Sequence, residues 1–109
     1  MSAPIIKTAP AKEDVSRVMA VTIDEMNETQ PDGQKIGKLP DTNLFGAQGQ
    51  LDSLGLVNFI VLLEQRIADE FGVAVTLANE KALSRQRSPF LTVHSLTEYI
   101  VEQLEEVNR

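Results

Sequence analysis

Leu51-Asp52-Ser53-Leu54-Gly55-Leu56-Val57-Asn58-Phe59-Ile60-Val61-Leu62-Leu63-Glu64 reads as a helix with an abrupt start. Gly46, Gly49 and Gln50 lie just upstream, where a helix propagates poorly, and Asp52-Ser53 are residue types favoured at a helix N-terminus. Leu56, Ile60, Leu63, Ile67 and Phe71 then recur at spacings of four, three, four and four, one face of an α-helix. Leu54, Val57, Val61 and Ala68 form a second apolar strip beside the first. A helix apolar around most of its girth is either buried or has a second surface to cover. The hydroxyl of Ser53 sits at the head of this helix, where free N–H groups and the positive dipole end stabilise an anion.

At 109 residues the chain suits one domain with a single modest core. Aliphatic residues dominate over four Phe, one Tyr and no Trp, and the β-branched residues are not gathered into alternating runs. An all-α bundle is the class this predicts. Sixteen acidic against ten basic residues give a net charge of −6, which disfavours nucleic acid and suits basic protein partners. There is no cysteine, so any thiol chemistry must arrive on a prosthetic group. No run has the length of a membrane span or the apolar core of a signal peptide, so a cytoplasmic monomer is expected. No metal-ligand spacing stands out.

From the N-terminus, residues 1–10 read as a loose arm and residues 11–107 as the domain. The first helix is expected over about 11–28: Val15, Met19, Ile23 and Met26 step by four, four and three, with Val18 beside them. Met19 and Met26 are expected to fill core at this spacing. Pro31-Asp32-Gly33 ends the helix. Residues 29–51 form a long glycine-bearing loop, a length usually reserved for function or disorder. Leu44-Phe45 are expected to tuck it against the bundle, while Lys35 and Lys38 face solvent.

The second helix is expected over 53–70, closed by Phe71-Gly72. Val73-Ala74-Val75-Thr76-Leu77 has no partner strand and reads as an extended connector with inward valines. A short helix is expected within 78–91, either over the Ala78 to Leu83 stretch or from Ser88-Pro89 with serine as cap and proline at the first helical position. The last helix, about 93–107, starts at Thr92 or at Ser95, where Ser95-Leu96-Thr97-Glu98 fits a capping box. Val93, Leu96, Ile100, Leu104 and Val107 form its apolar stripe; Glu98, Glu102, Glu105 and Glu106 face water and oppose the dipole, so the end is expected to fray.

Leu-Asp-Ser-Leu at the head of a long helix, reached by a long loop and followed by a short element, Thr92-Val93 and a final helix, resembles the acyl carrier proteins. The resemblance covers most of the chain. It implies an acyl-carrier-like bundle of three main helices plus one short helix. It also implies that Ser53, flanked by Asp52 and Leu54, carries 4'-phosphopantetheine donated by coenzyme A, with acyl groups held as thioesters on the arm. The implied partners are a phosphopantetheinyl transferase, an acyl-loading ligase or acyltransferase, and downstream acyl-processing enzymes. The chain itself would be a carrier and not an enzyme.

Val57, Val61, Gly55 and Asn58 form the expected partner and cargo face. Acids commonly occupy the positions of Gly55 and Asn58 in fatty-acid carriers, and here no residue from Ser53 through Leu63 is charged. That predicts docking by shape and apolar contact, in a specialised lipid or secondary-metabolite pathway. The Arg85/Arg87 stretch is a further departure from the compact fatty-acid carriers. An aminoacyl or peptidyl carrier is the alternative within the family, although Asp52 directly before Ser53 favours acyl. Outside it stand a helical interaction module without a prosthetic group and a small hydrolase using Ser53. The hydrolase would need His94, the single histidine, as its base.

Overall fold

The computed structural model describes residues 12–30, 33, 35–45, 49–78 and 88–107, and these form three helices and no strand. They are α1 (Lys12–Asn27), α2 (Ser53–Phe71) and α3 (Val93–Val107). All three expected main helices are present, each within a residue or so of its expected bounds. Most of the expected short helix, residues 79–87, lies outside the described residues, as do the arm and Arg85 and Arg87. The reading of Ser88-Pro89 as a helix start needs correction. Phe90 N–H donates to Ser88 Oγ at 3.1 Å, closing a turn, and Ser95 Oγ donates to the Pro89 carbonyl at 2.9 Å. Those bonds carry the chain straight into Thr92 without a helical segment.

The core is the meeting of the apolar stripes. Helix α1 packs against both α2 and α3, burying Val15, Val18, Met19 and Ile23, with Met26 at its margin. From α2 come Leu56, Ile60, Leu63 and Ile67, and from α3 come Val93, Leu96, Ile100 and Leu104. Val107 is 53% exposed, because the final turn runs past the last buried position, Leu104. Phe59 is fully buried although it belongs to neither strip identified in the sequence. It stands three residues from Leu56 and four from Leu63, a helical spacing that places it on the same face.

Polar groups in this core are answered locally. Thr22 and Thr97 donate to the carbonyls of Val18 and Val93 at 2.7 and 2.8 Å, the i−4 bond that lets a threonine sit inside a helix. The connector after Gly72 is held from both sides: Leu77 N–H donates to the Glu64 carboxylate at 2.8 Å, and Tyr99 O–H donates to the Leu77 carbonyl at 2.7 Å. Leu77 itself is fully buried, and Val73 and Val75 pack on the core as expected. Gly72 closes α2 at φ +67°, a left-handed conformation that side chains resist, with its N–H on the Ala68 carbonyl.

Thr92 caps α3 through a reciprocal pair with Ser95. Ser95 N–H donates to Thr92 Oγ1 at 3.0 Å, and Thr92 N–H donates to Ser95 Oγ at 3.1 Å. The capping box is therefore Thr92 with Ser95, and the start at Thr92 wins over the start at Ser95. Lys12 bonds Glu98 at 2.6 Å, tying α1 to α3. The bond and the charge of Lys12 hold the Glu98 carboxyl below its usual range, with His94 adding to the effect. A depressed carboxylate adds stability above its unfolded pKa and loses it as pH falls. The contribution of this half-exposed pair is thus present at neutral pH, fades in acid and is sensitive to salt.

Truncating Leu63 or Ile60 to alanine is expected to cost about 2–5 kcal/mol, out of a total of about 5–15 kcal/mol for a domain of this size. Phe59→Ala is expected to cost about 3–5 kcal/mol. Val57→Ala, on the exposed strip, is expected to stay within about 0.5 kcal/mol of the parent. Denaturant midpoints at constant slope measure all four, and equal losses at Val57 and Leu63 would contradict this division of faces.

Candidate functional site at the head of helix 2

The loop that delivers Ser53 is laced to the bundle through its backbone. Leu44 N–H donates to the Leu91 carbonyl at 2.6 Å, and Val93 and His94, the first residues of α3, donate to the carbonyls of Thr42 and Pro40 at 3.0 and 2.8 Å. Asn43 and Thr92 form one isolated antiparallel bridge. The helix start, whose N–H groups lack partners within their own helix, is thus satisfied by the loop. Leu51 N–H then donates to the Leu44 carbonyl at 2.8 Å, which sets the residue immediately before Asp52. Leu44 is fully buried and Phe45 packs against the core, so the expected tuck is present.

The other end of the loop hangs on Asn27. Its side-chain amide accepts from Ile36 N–H and donates to the Ile36 carbonyl, both at 2.8 Å, pairing the end of α1 with the loop as a strand neighbour would. Lys35 and Lys38 do not merely face solvent. Lys35 donates to the carbonyls of Asn27 and Gln30 at 2.8 and 2.9 Å, where a cation suits the C-terminal end of α1. Lys38 pairs with Asp24 at 2.9 Å. Among the described glycines, Gly49 is the one that packing demands. A Cβ there would lie 2.5 Å from the backbone of Phe45, so only a residue without a side chain lets the loop close this tightly.

Asp52 is the N-cap of α2. Its backbone is extended and its carboxylate accepts from Gly55 N–H at 2.7 Å, while its carbonyl accepts from Leu56 N–H. Ser53 is the first helical residue and is exposed. Among the described residues its hydroxyl has no hydrogen-bond partner, and the N–H groups of Ser53 and Leu54 have no acceptor. His94 is exposed at the start of α3, and no hydrogen bond joins it to Ser53 among the described residues.

Leu54, Val57 and Val61 are 71%, 55% and 44% exposed, so the second strip is a surface, as expected. Asn58 is exposed among them. Gly55 is not an open surface position. A Cβ there would meet Asp52 Oδ1 at 3.1 Å and Leu51 Cδ2 at 3.3 Å, so a side chain would crowd the cap. The first charges along the helix are withdrawn from this face. Glu64 accepts from Leu77, and Arg66 bonds Glu25 of α1 at 2.5 Å. Neither tie is apparent from sequence, since each joins segments far apart along the chain.

An open groove of about 800 Å³ lies beside this helix head. It starts at Asp52 and Leu54, runs down α2 past Asn58 and Leu62 to Gln65, and has Met26, Thr29 and Gln30 of the α1 end along its other side. No family model matches the chain, and neither a curated protein nor a solved structure matches it.

Asp52→Ala is expected to cost about 0.5–2 kcal/mol through loss of the cap. Gly49→Ala is expected to cost more than Asp52→Ala and to increase amide exchange at Leu44 and Leu51, because the loop backbone must move away from Phe45. Hydrogen exchange and denaturant unfolding report both. Parent-like exchange at those two amides would refute the close approach.

Proposed function

We propose that the protein is a stand-alone acyl carrier whose Ser53 holds 4'-phosphopantetheine. The observation that carries this reading is an exposed serine hydroxyl at the first position of α2, delivered by a long loop whose backbone is tied down on both sides of it. The residues present fit the group. Asp52 commits its carboxylate to Gly55 N–H, and the unclaimed N–H groups of Ser53 and Leu54 point positive dipole toward a phosphodiester at Ser53. When bound, the arm supplies the thiol that the chain lacks, and acyl groups ride on it as thioesters.

The chain's own part is presentation. The Ser53 hydroxyl is open to a transferase, and it stands on a helix whose buried face is anchored by Phe59, Ile60 and Leu63. Leu54, Val57 and Val61 give partner enzymes an apolar rim. Glu64 and Arg66 are engaged with Leu77 and Glu25, and charge farther away than about 8 Å is screened at physiological salt. This supports docking by shape and apolar contact on dedicated partners, with little salt dependence, in a specialised lipid or secondary-metabolite pathway. The exposed helical face also fits an interaction module without a prosthetic group, and the mass of the protein separates the two.

Co-expressed with a phosphopantetheinyl transferase, the parent chain is expected to gain the mass of the arm and Ser53→Ala to gain none while keeping its melting midpoint. An unmodified parent, or a modified Ser53→Ala, would refute the assignment. Asn58→Glu tests the neutral rim, since that side chain is exposed and free of the cap that Gly55 supports. With a malonyl-loaded arm, the parent is expected to be elongated slowly by fatty-acid enzymes that dock on acidic carriers, and Asn58→Glu to be elongated faster. A parent already as fast as a housekeeping fatty-acid carrier would overturn the neutral-docking reading.

A further inference from the structure

The groove beside Ser53 has a chemistry of its own. On α2 its lining residues follow one stripe, from Leu54 through Asn58 and Leu62 to Gln65, a path of about 16 Å at roughly 1.5 Å per residue. Met26 and Leu62, each half-buried, supply apolar floor. Gln30, Gln50, Asn58 and Gln65 bring side-chain amides to the groove, and Thr29 brings a hydroxyl. Among the described residues lining the groove, Asp52 alone bears a charge, and its carboxylate is held at the helix head by Gly55 N–H. At the far end the Arg66–Glu25 pair joins α2 to α1, so the charged groups there satisfy each other.

An amide side chain offers two donors and an acceptor with two lone pairs, which matches another amide and leaves a hydrocarbon unmatched. Among the described residues, the side-chain amides of Gln30, Asn58 and Gln65 have no hydrogen-bond partner, so they are available to a ligand. A partly apolar cleft with a few convergent polar groups is the usual form of a small-molecule site. We propose that this groove binds a neutral, amide-bearing chain rooted at Ser53, gripped through Asn58 and Gln65 on one side and Gln30 on the other. The proposal rests on the carrier reading. Two sources share the chemistry: the phosphopantetheine arm, which has two amide groups, and an aminoacyl or peptidyl cargo upon it.

The test uses the full chain, labelled with nitrogen-15, in three forms made with a transferase: the free-thiol arm, the arm loaded with alanyl-alanine, and the arm loaded with octanoate. Side-chain NH₂ resonances of Asn58 and Gln65 are read against the unmodified chain. Alkylation of the free thiol by iodoacetamide is read against free pantetheine. If the arm itself is the ligand, both resonances shift in the free-thiol form, and alkylation slows by about three- to tenfold, the effect of one or two hydrogen bonds retained against water. If the cargo is the ligand, the shifts appear only with alanyl-alanine, and the peptidyl alternative gains. Either outcome supports the site. Asn58→Leu with Gln65→Leu is expected to abolish the slowing of alkylation, or with alanyl-alanine the matching shift of the Gln30 NH₂, while leaving the arm's mass in place, and Gln30→Leu is expected to abolish the Asn58 and Gln65 shifts from the α1 side. Shifts with octanoate alone, no shift in any form, or a response that survives both variants would overturn the site and leave the carrier reading standing. A chain that takes up no arm overturns the carrier reading and this site with it.

Discussion

Leu44 is the residue on which the arrangement depends. Its side chain is fully buried, its N–H donates to Leu91 ahead of α3, and its carbonyl accepts from Leu51 ahead of α2. One residue in the middle of a long loop therefore connects the starts of two helices. Ordering a loop of this length costs conformational entropy at every residue. Here the cost is offset by burial of Leu44 and Ile36, by backbone bonds to the head of α3, and by the two-way amide pairing of Asn27. The loop thereby acts as a positioning device whose product is the location of Asp52 and Ser53.

That location explains how one helix holds two unlike faces. The buried side of α2 presents Phe59, Ile60 and Leu63 to the core, which holds the helix in place against α1. The exposed side keeps Leu54, Val57 and Val61 in water. Exposing three aliphatic side chains around a free serine costs solubility and adds nothing to the fold. Under the proposed carrier function this strip is the rim that partner enzymes cover. The withdrawal of charge from this rim follows from tertiary ties. Glu64 is needed to hold the connector at Leu77, and Arg66 is needed to join α2 to α1.

The same ties decide which positions are open to change. Gly55 and Asn58 look equivalent in sequence, as two uncharged residues beside the serine. In the fold they differ: Asn58 is exposed, while Gly55 lies against the Asp52 carboxylate and Leu51. Sequence periodicity concerns one helix at a time and has no access to such contacts.

What the sequence determined by itself was everything set by local preference and period. The stripes through Val15–Met19–Ile23, Leu56–Ile60–Leu63–Ile67 and Val93–Leu96–Ile100–Leu104 placed three helices and their buried faces, because a 3.6-residue period admits one arrangement of apolar residues. Asp52 and Gly72 marked the ends of α2, because capping and left-handed backbone favour those residue types. Ser53 was legible as a candidate site through the resemblance of Leu51-Asp52-Ser53-Leu54 and the helix it heads to the acyl carrier motif, whereas the cap alone marks only a helix start. What only the tertiary structure decided depends on contacts between segments distant along the chain. Among these are the anchoring of Leu44, the joining of Asn27 to Ile36, and the engagement of Glu64, Lys35, Lys38 and Arg66. The groove from Asp52 to Gln65 belongs with them. Its two walls come from α2 and from the end of α1, and no spacing along either helix records that they face each other.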